Sequence, residues 1–277
     1  MSKIELGEVQ ETLLIPLYCR AIESKKKNPK IKDEEAVQLI DKIDYDFSKF
    51  KQGKGSMVGI VARTSILDRE TQNFINNYPD AIVICIGCGL CTRYKRLDLK
   101  NVYWYNLDFP DVIDTRNRLL SKNNENDPIF NIAKSCLDDT WPKDIKELND
   151  NKKDILIIIE GVLMFFTEDE VKHLINIIKT NFIHQKVTIF AEIMHTIPSK
   201  FTKFHDTVNK TNATFKWGIR HAKDIEKLDS DIKYIEEWHY YDEFSFDDSA
   251  LCHTLGKIPG MKNISNKIAH LEINPSN

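Results

Sequence analysis

The sequence predicts an α/β protein with a mostly parallel sheet and a helical first quarter. Two observations carry that prediction. Strand and helix patterns alternate from residue 81 to residue 193, and at this spacing neighbouring strands run parallel with helices over both faces. The apolar run from Ala81 to Ile86 enters a tight Gly87-x-Gly89 turn, and a second strand ends at Asp108. That layout suits a nucleotide-type cofactor, because glycines admit a ligand close to the backbone and a carboxylate grips ribose hydroxyls.

The elements follow in order. Leu13, Leu14, Leu17, Tyr18 and Ala21 recur at helical spacing over 9–24, and Asn28-Pro29 ends that helix. Asp33 suits the cap of a second helix, 34–43, and a third covers 57–77 before Tyr78-Pro79-Asp80. Strands at 81–86 and 102–107 flank a short helix. A helix over 110–121 carries Pro110 in its first turn, where proline is tolerated. After the polar loop Asn123 to Pro128, a short strand near 129–134 leads into Ser135-Cys136. The strongest strand is 154–160, followed by a helix from 167 to 180 with Thr167 and Glu170 as a capping box. A strand at 187–193 comes next, then helical sequence over 199–228 broken at Lys216-Trp217-Gly218, and two late strands at 232–243 and 266–273.

Composition narrows the class. The 277 residues are 42% hydrophobic and 29% charged, with net charge −3 and pI near 6.3. These values fit one globular domain and disfavour binding driven by nucleic-acid phosphates. The most apolar run, Ile155 to Phe166, is interrupted by Glu160 and Gly161 and is too short to span a bilayer. No basic-then-apolar leader opens MSKIELGEVQ, so a reducing cytoplasm is expected. Six cysteines in a chain this long do not form a disulfide scaffold.

The third glycine of the dinucleotide fingerprint is absent, and Thr92 stands there. A pyrophosphate needs that close helix approach more than S-adenosylmethionine does. The motif therefore favours methyl transfer over an NAD(P)-dependent oxidoreductase without excluding the latter. Asp108 suits either a ribose contact or a helix cap. Ser135-Cys136 should lie beside an adenine, although a plain loop explains it as well. Glu160 ends a buried strand and needs a partner, either a cofactor cation, a backbone N–H or water. Cys85, Cys88 and Cys91 invite a metal reading, but a strand and a glycine turn separate the thiols, and no second pair completes a site. His195, His205, His221 and His239 each read more simply as structural or solvent-facing, although with Trp217 they could line an aromatic pocket.

Taken in order, the motifs resemble the leucine carboxyl methyltransferase superfamily, in the branch containing the tetracenomycin polyketide carboxyl O-methyltransferase. They are Thr12 to Ala21, Asp33-Glu-Glu-Ala36, Ala62-Arg63-Thr64, Asp68, Gly87 to Arg93, Leu107 to Val112, Trp141, Glu160 to Met164, and Phe215-Lys-Trp217-Gly218. The resemblance implies a Rossmann-like class I methyltransferase: a seven-stranded sheet under an N-terminal helical cap, in a single domain. The cap would be 1–78, the cofactor sheet 79–194, and acceptor-side helices and late strands 195–277.

It also implies S-adenosylmethionine as cofactor. Arg63 would hold the methionine carboxylate, Gly87 and Gly89 would make room, and Asp108 would bind the ribose. Ser135 and Cys136 would flank the adenine, and Glu160 would face the cofactor's amino end. Three positions depart from the family pattern: Cys91 and Ser135-Cys136, where acidic residues are usual, and Phe165, where tyrosine is common.

The expected reaction is methyl transfer to a carboxylate of a small, polyketide-like acceptor, which is ionised at neutral pH and needs no general base. A phenol acceptor would need one, with His195, His205 or His221 as candidates. Tyr18, Arg20, Trp217 and Arg220 are the candidates for lining the acceptor pocket. Methylation of a protein C-terminal leucine and cofactor binding without catalysis are the other readings.

Overall fold

The computed structural model describes residues 2–3, 10–51, 54–120, 127–149, 153–196, 214–244, 250–258 and 260–275. The helical first quarter contains α1 (Leu14–Ser24), α2 (Glu34–Lys42) and α3 (Lys54–Asn77). Asp33 caps α2 by accepting from the Ala36 N–H at 2.9 Å. A two-residue strand, β1 (Ser2–Lys3), pairs in parallel with β2 (Ile43–Asp44) after α2. This ribbon has no sequence signal, since four residues carry no periodicity.

The main sheet has seven strands: β3 (Ile82–Ile86), β4 (Tyr103–Asp108), β5 (Ile129–Ala133), β6 (Ile155–Ile159), β7 (Val187–Ile193), β8 (Ile232–His239) and β9 (Lys267–Ile273). Their order is β5-β4-β3-β6-β7-β9-β8. The first five pair in parallel, and β9 joins antiparallel between β7 and β8. This is the mostly parallel Rossmann-like α/β sheet that the sequence predicts.

The strands read as unbroken apolar runs because both faces of the sheet are covered. Side chains alternate between the faces. Ile82, Ile84, Ile157 and Ile189 join Leu174 and Ile178 of α4 (Glu168–Asn181) in one core. Val83, Leu156, Ile158 and Phe190 meet Ile66, Leu67 and Phe74 of α3 in the other. The capping box at Thr167 and Glu170 forms as the sequence predicts.

Strand order reverses between β3 and β6. The chain builds outward through β4 and β5, then returns to add β6 and β7 on the other side. That leaves a crevice at the carboxyl ends of β3 and β6, where open α/β sheets take ligands.

The region after β7 differs from the helical expectation over 199–228. Residues 214–221 are not helical, and helix returns only as a 3-10 segment at Ala222–Lys227. Residues 199–213 lie outside the described residues. Tertiary hydrogen bonds override local propensity in the part that is described. The Lys216 N–H donates to the Met164 carbonyl at 2.8 Å, and the Ile219 N–H donates to the Met194 carbonyl at 3.0 Å. Gly218 is required for this approach, because a Cβ there would lie 2.8 Å from the Met194 oxygen. The late strand predicted over 232–243 ends at His239, and Tyr240–Glu243 is one helical turn. Among the described residues, no helix is long and apolar enough to cross a membrane.

Trp141 anchors the crossover between β5 and β6. It is fully buried, packs on Phe182 at 5.8 Å between ring centroids, and donates from Nε1 to the Cys136 carbonyl at 3.1 Å. Trp141→Ala should cost about 3–5 kcal/mol in urea denaturation. A loss within error of zero would show that the site repacks without it.

Candidate active site

A cavity of about 700 Å³ opens at the switch point, with Gly87, Gly89, Asp108, Glu160 and Arg63 on its walls. Gly87 has φ +63°, and a Cβ there would sit 2.3 Å from Val162 Cγ2. Only glycine fits that contact. The Gly87 N–H donates to the Leu107 carbonyl at 2.8 Å, which pins the turn to β4. Gly89, at φ +47°, donates its N–H to Asp108 Oδ2 at 2.7 Å. Asp108 Oδ1 accepts from the Phe109 N–H at 2.8 Å.

Burial pushes the Asp108 carboxyl above its usual range, although both N–H bonds and Arg116 pull it back. It is an acceptor that would gain from further donors. Two arginines hold the turn from behind: Arg116 donates to the Gly89 carbonyl at 2.9 Å and Arg20 to the Leu90 carbonyl at 2.8 Å.

An unbroken chain of ion pairs runs from the helical cap to the sheet. Arg20 meets Asp33 at 2.8 Å, and Asp33 meets Arg96 at 3.0 Å. Arg96 and Arg93 share Asp68 at 2.8 and 2.7 Å. Arg93 reaches Glu160 at 2.8 Å, Glu160 takes Arg63 Nε at 2.9 Å, and Arg63 Nη1 meets Glu192 at 2.8 Å. Arg63 Nη2 has no partner among the described residues, and Arg63 lines the cavity. Burial pulls the Arg63 guanidinium down, but Glu192 and Glu160 overcome it, so the group stays charged. Burial likewise pushes Glu160 up, and Arg93 and Arg63 hold it at about 2 instead.

Glu192 is the residue that sequence reasoning misses. It is 2% exposed and fully engaged, with Oε2 accepting from Arg63 and the Gly161 N–H, and Oε1 accepting from Tyr240 and Asn266. A lone carboxylate near the end of the apolar strand VTIFAEI was the available signal.

Ser135 and Cys136 line the cavity beside Asp108, and Phe165 lines it against Phe215, with ring centroids 5.6 Å apart. Of the four acceptor-pocket candidates, Arg20 lines the cavity. Tyr18 does not; it stacks on Phe47 inside the cap. Trp217 is buried in the sheet core, and Arg220 is exposed away from the cavity. Among the described histidines none lines the cavity. His195 is buried elsewhere, with burial and then Lys267 lowering its pKa, and His221 is exposed. His205 lies outside the described residues. No metal-holding group of His, Cys, Asp and Glu occurs among the described residues.

The profile of the leucine carboxyl methyltransferase family matches residues 14–179, more than half of the chain. The chain belongs to that family. It is a methyltransferase enzyme. The tetracenomycin polyketide synthesis O-methyltransferase of Streptomyces glaucescens is 29% identical to it over 240 residues, 86% of each chain. An S-adenosyl-L-methionine-dependent methyltransferase of Gibberella zeae is 25% identical over 252 residues, 85% of this chain and 83% of its own. Solved structures share the fold. One from Thermobifida fusca has TM-score 0.60 at 13% identity, covering 100% of this chain and 97% of its own. A DUF574-family protein of Streptomyces avermitilis has TM-score 0.59 at 11% identity, covering 95% and 97%. In this family member, the matched segment contains every member of the ion chain except Glu192.

The ion chain sets an acid limit on stability. Burial pushes Asp33 up, but Arg20 and Arg96 hold it at about 2, below its ordinary 3.8. A carboxylate whose folded pKa is depressed stabilises the fold above its unfolded pKa and loses that contribution as pH falls through the folded value. Stability should therefore fall between pH 4.5 and about 2, the range spanned by Glu160 and Asp33. Asp33 should contribute about 2 kcal/mol of that loss. Urea titrations of the wild type and Asp33→Asn should show the variant with a shallower acid slope; parallel slopes would contradict the assignment.

Proposed function

We propose that this enzyme esterifies a carboxylate of a small, largely apolar acceptor. S-adenosylmethionine is the methyl donor. The chemistry of the cavity fits that cofactor. A buried guanidinium keeps one amino group unpaired, as an amino-acid carboxylate requires. Asp108 retains accepting capacity on both oxygens beside a glycine turn, as a ribose diol requires. Leu107, Val112, Cys136 and Val162 offer apolar walls at the Asp108 side for a flat ring. When bound, S-adenosylmethionine supplies a methyl group on a positively charged sulfur.

The protein's own contribution is placement. Arg63 would hold the carboxylate tail, with its angle fixed by Glu160 and Glu192. Asp108 would fix the ribose, with Ser135 and Cys136 beside the adenine. The acceptor would enter along Ile15, Met164, Phe165, Phe215, Tyr241 and Phe244, whose apolar surface excludes water and favours an aromatic or polyketide-like body. Arg20 lines the same cavity, and its Nη1 is unpaired among the described residues, which would suit an acceptor carboxylate.

One observation carries the choice of carboxylate over phenol. Both cavity glutamates are already committed to arginines, and no described histidine reaches the cavity. An acceptor that arrives ionised needs neither.

Two measurements test this. Calorimetric titration with S-adenosylhomocysteine should show binding weakened roughly tenfold in Asp108→Ala, the loss of charged hydrogen bonds to a diol. Unchanged affinity would remove Asp108 from the cofactor site. Radiolabelled methyl should pass to aromatic carboxylic acids and be released by mild alkali, as an ester is. Alkali-stable label on phenols would overturn the carboxylate assignment.

A further inference from the structure

Glu192 ties the arginine at the cavity wall to the segment on the acceptor side. Its Oε2 accepts from Arg63 Nη1 and from the Gly161 N–H, each at 2.8 Å. Its Oε1 accepts from the Tyr240 hydroxyl at 2.7 Å and from Asn266 Nδ2 at 3.1 Å. Among the described residues, Arg63 is the one cation paired with Glu192. Neutral donors therefore satisfy the other half of this buried carboxylate. Removing one of them would leave a buried acceptor short of partners.

The two donors come from late in the chain. Tyr240 opens the helical turn Tyr240–Glu243 at the end of β8, and Asn266 immediately precedes β9. Both line the cavity, as do Tyr241 and Phe244. Those two rings meet edge to face, with centroids 5.4 Å apart. The turn is also fastened to α3, the helix that carries Arg63. Glu243 meets Arg69 at 2.6 Å, and Tyr240 Cδ2 lies 3.8 Å from where a Cβ on Gly59 would stand, one helical turn before Arg63. Burial, and then Glu192, raise the Tyr240 hydroxyl well above its ordinary range, so it keeps its proton and donates.

We propose that Tyr240 and Asn266 are positioning residues for the cofactor: through Glu192 they set the direction in which Arg63 presents its open nitrogen. This role rests on Arg63 being the clamp for the cofactor's carboxylate tail, as proposed above. The guanidinium is planar, so two held nitrogens fix its plane. Glu160 holds Nε at 2.9 Å and Glu192 holds Nη1. The terminal torsion of a glutamate is soft, and without Tyr240 the Glu192 carboxylate can turn about it. Arg63 would then be held at Nε alone and could swing. A swing misaligns the hydrogen bonds to a ligand carboxylate, which weaken steeply with angle. A nucleoside held at Asp108 is untouched by it. One carboxylate thus joins the acceptor wall to the cofactor clamp.

The test uses the full chain and two ligands in calorimetric titration. One is S-adenosylhomocysteine. The other is its decarboxylated analogue, which keeps the nucleoside and the amino group. The wild type should prefer the first. Tyr240→Phe removes one oxygen and keeps the ring. It should weaken S-adenosylhomocysteine roughly fivefold and leave the analogue unchanged. Asn266→Ala carries the same expectation and serves if Tyr240→Phe does not fold. Equal loss of both ligands would mark a merely structural role and overturn the proposal. So would a wild-type preference that both variants keep in full. Equal binding of the two ligands by the wild type would remove the carboxylate clamp itself, and the role of Tyr240 with it. Failure of the clamp is therefore read from the wild type, and failure of the positioning role from the variants.

Discussion

The structure depends on an alternating line of four arginines and four carboxylates, from Arg20 in the cap to Glu192 in the sheet. Its charges balance, and its members come from α1, α3, the turn before α2, the short helix after the glycine turn, and the ends of β6 and β7. Desolvating so many charges offsets much of what their attraction returns, so the line is weak evidence for net stability. Its value is geometric. Arg96, Arg93 and Arg63 are each buried between two acids on different elements, and a shifted cap would strand several charges at once.

That constraint reaches the chemistry through Arg63. The guanidinium is gripped on Nε and Nη1 by Glu160 and Glu192, which leaves Nη2 in a fixed direction. A binding group held this way loses little freedom when it meets a ligand. Glu160 and Glu192 therefore act by positioning rather than as bases. Glu160 was expected to face the amino end of a cofactor, and in the structure both its oxygens are occupied by arginines. The two roles are compatible only where a carboxylate oxygen keeps a second accepting direction.

The glycine turn is the second fixed point. Its backbone is locked by Leu107 and Asp108 on one side and by Arg116 and Arg20 on the other. The cap thus helps to shape the wall of the cavity as well as roofing it, since Arg20 belongs to α1 and Leu13 would meet a Cβ on Gly89 at 3.2 Å.

The sequence by itself determined the parallel sheet, the capped helices and the glycine–aspartate pair. Each is written in local terms: unbroken apolar runs such as ILIII, the Thr167–Glu170 box, and glycines whose positive φ excludes other residues. The acid-arginine motifs were visible too, but not who pairs with whom. Only the tertiary structure decided that Arg63 meets Glu192, a contact 129 residues apart in the chain. It alone decided that Tyr18 and Trp217 turn into cores rather than the cavity, and that 214–221 bonds to the segments following β6 and β7 instead of coiling. The physical reason is the same throughout. Backbone periodicity is set by neighbours in sequence, whereas the partner of a buried charge, an aromatic ring or an open carbonyl is set by whatever the fold brings beside it.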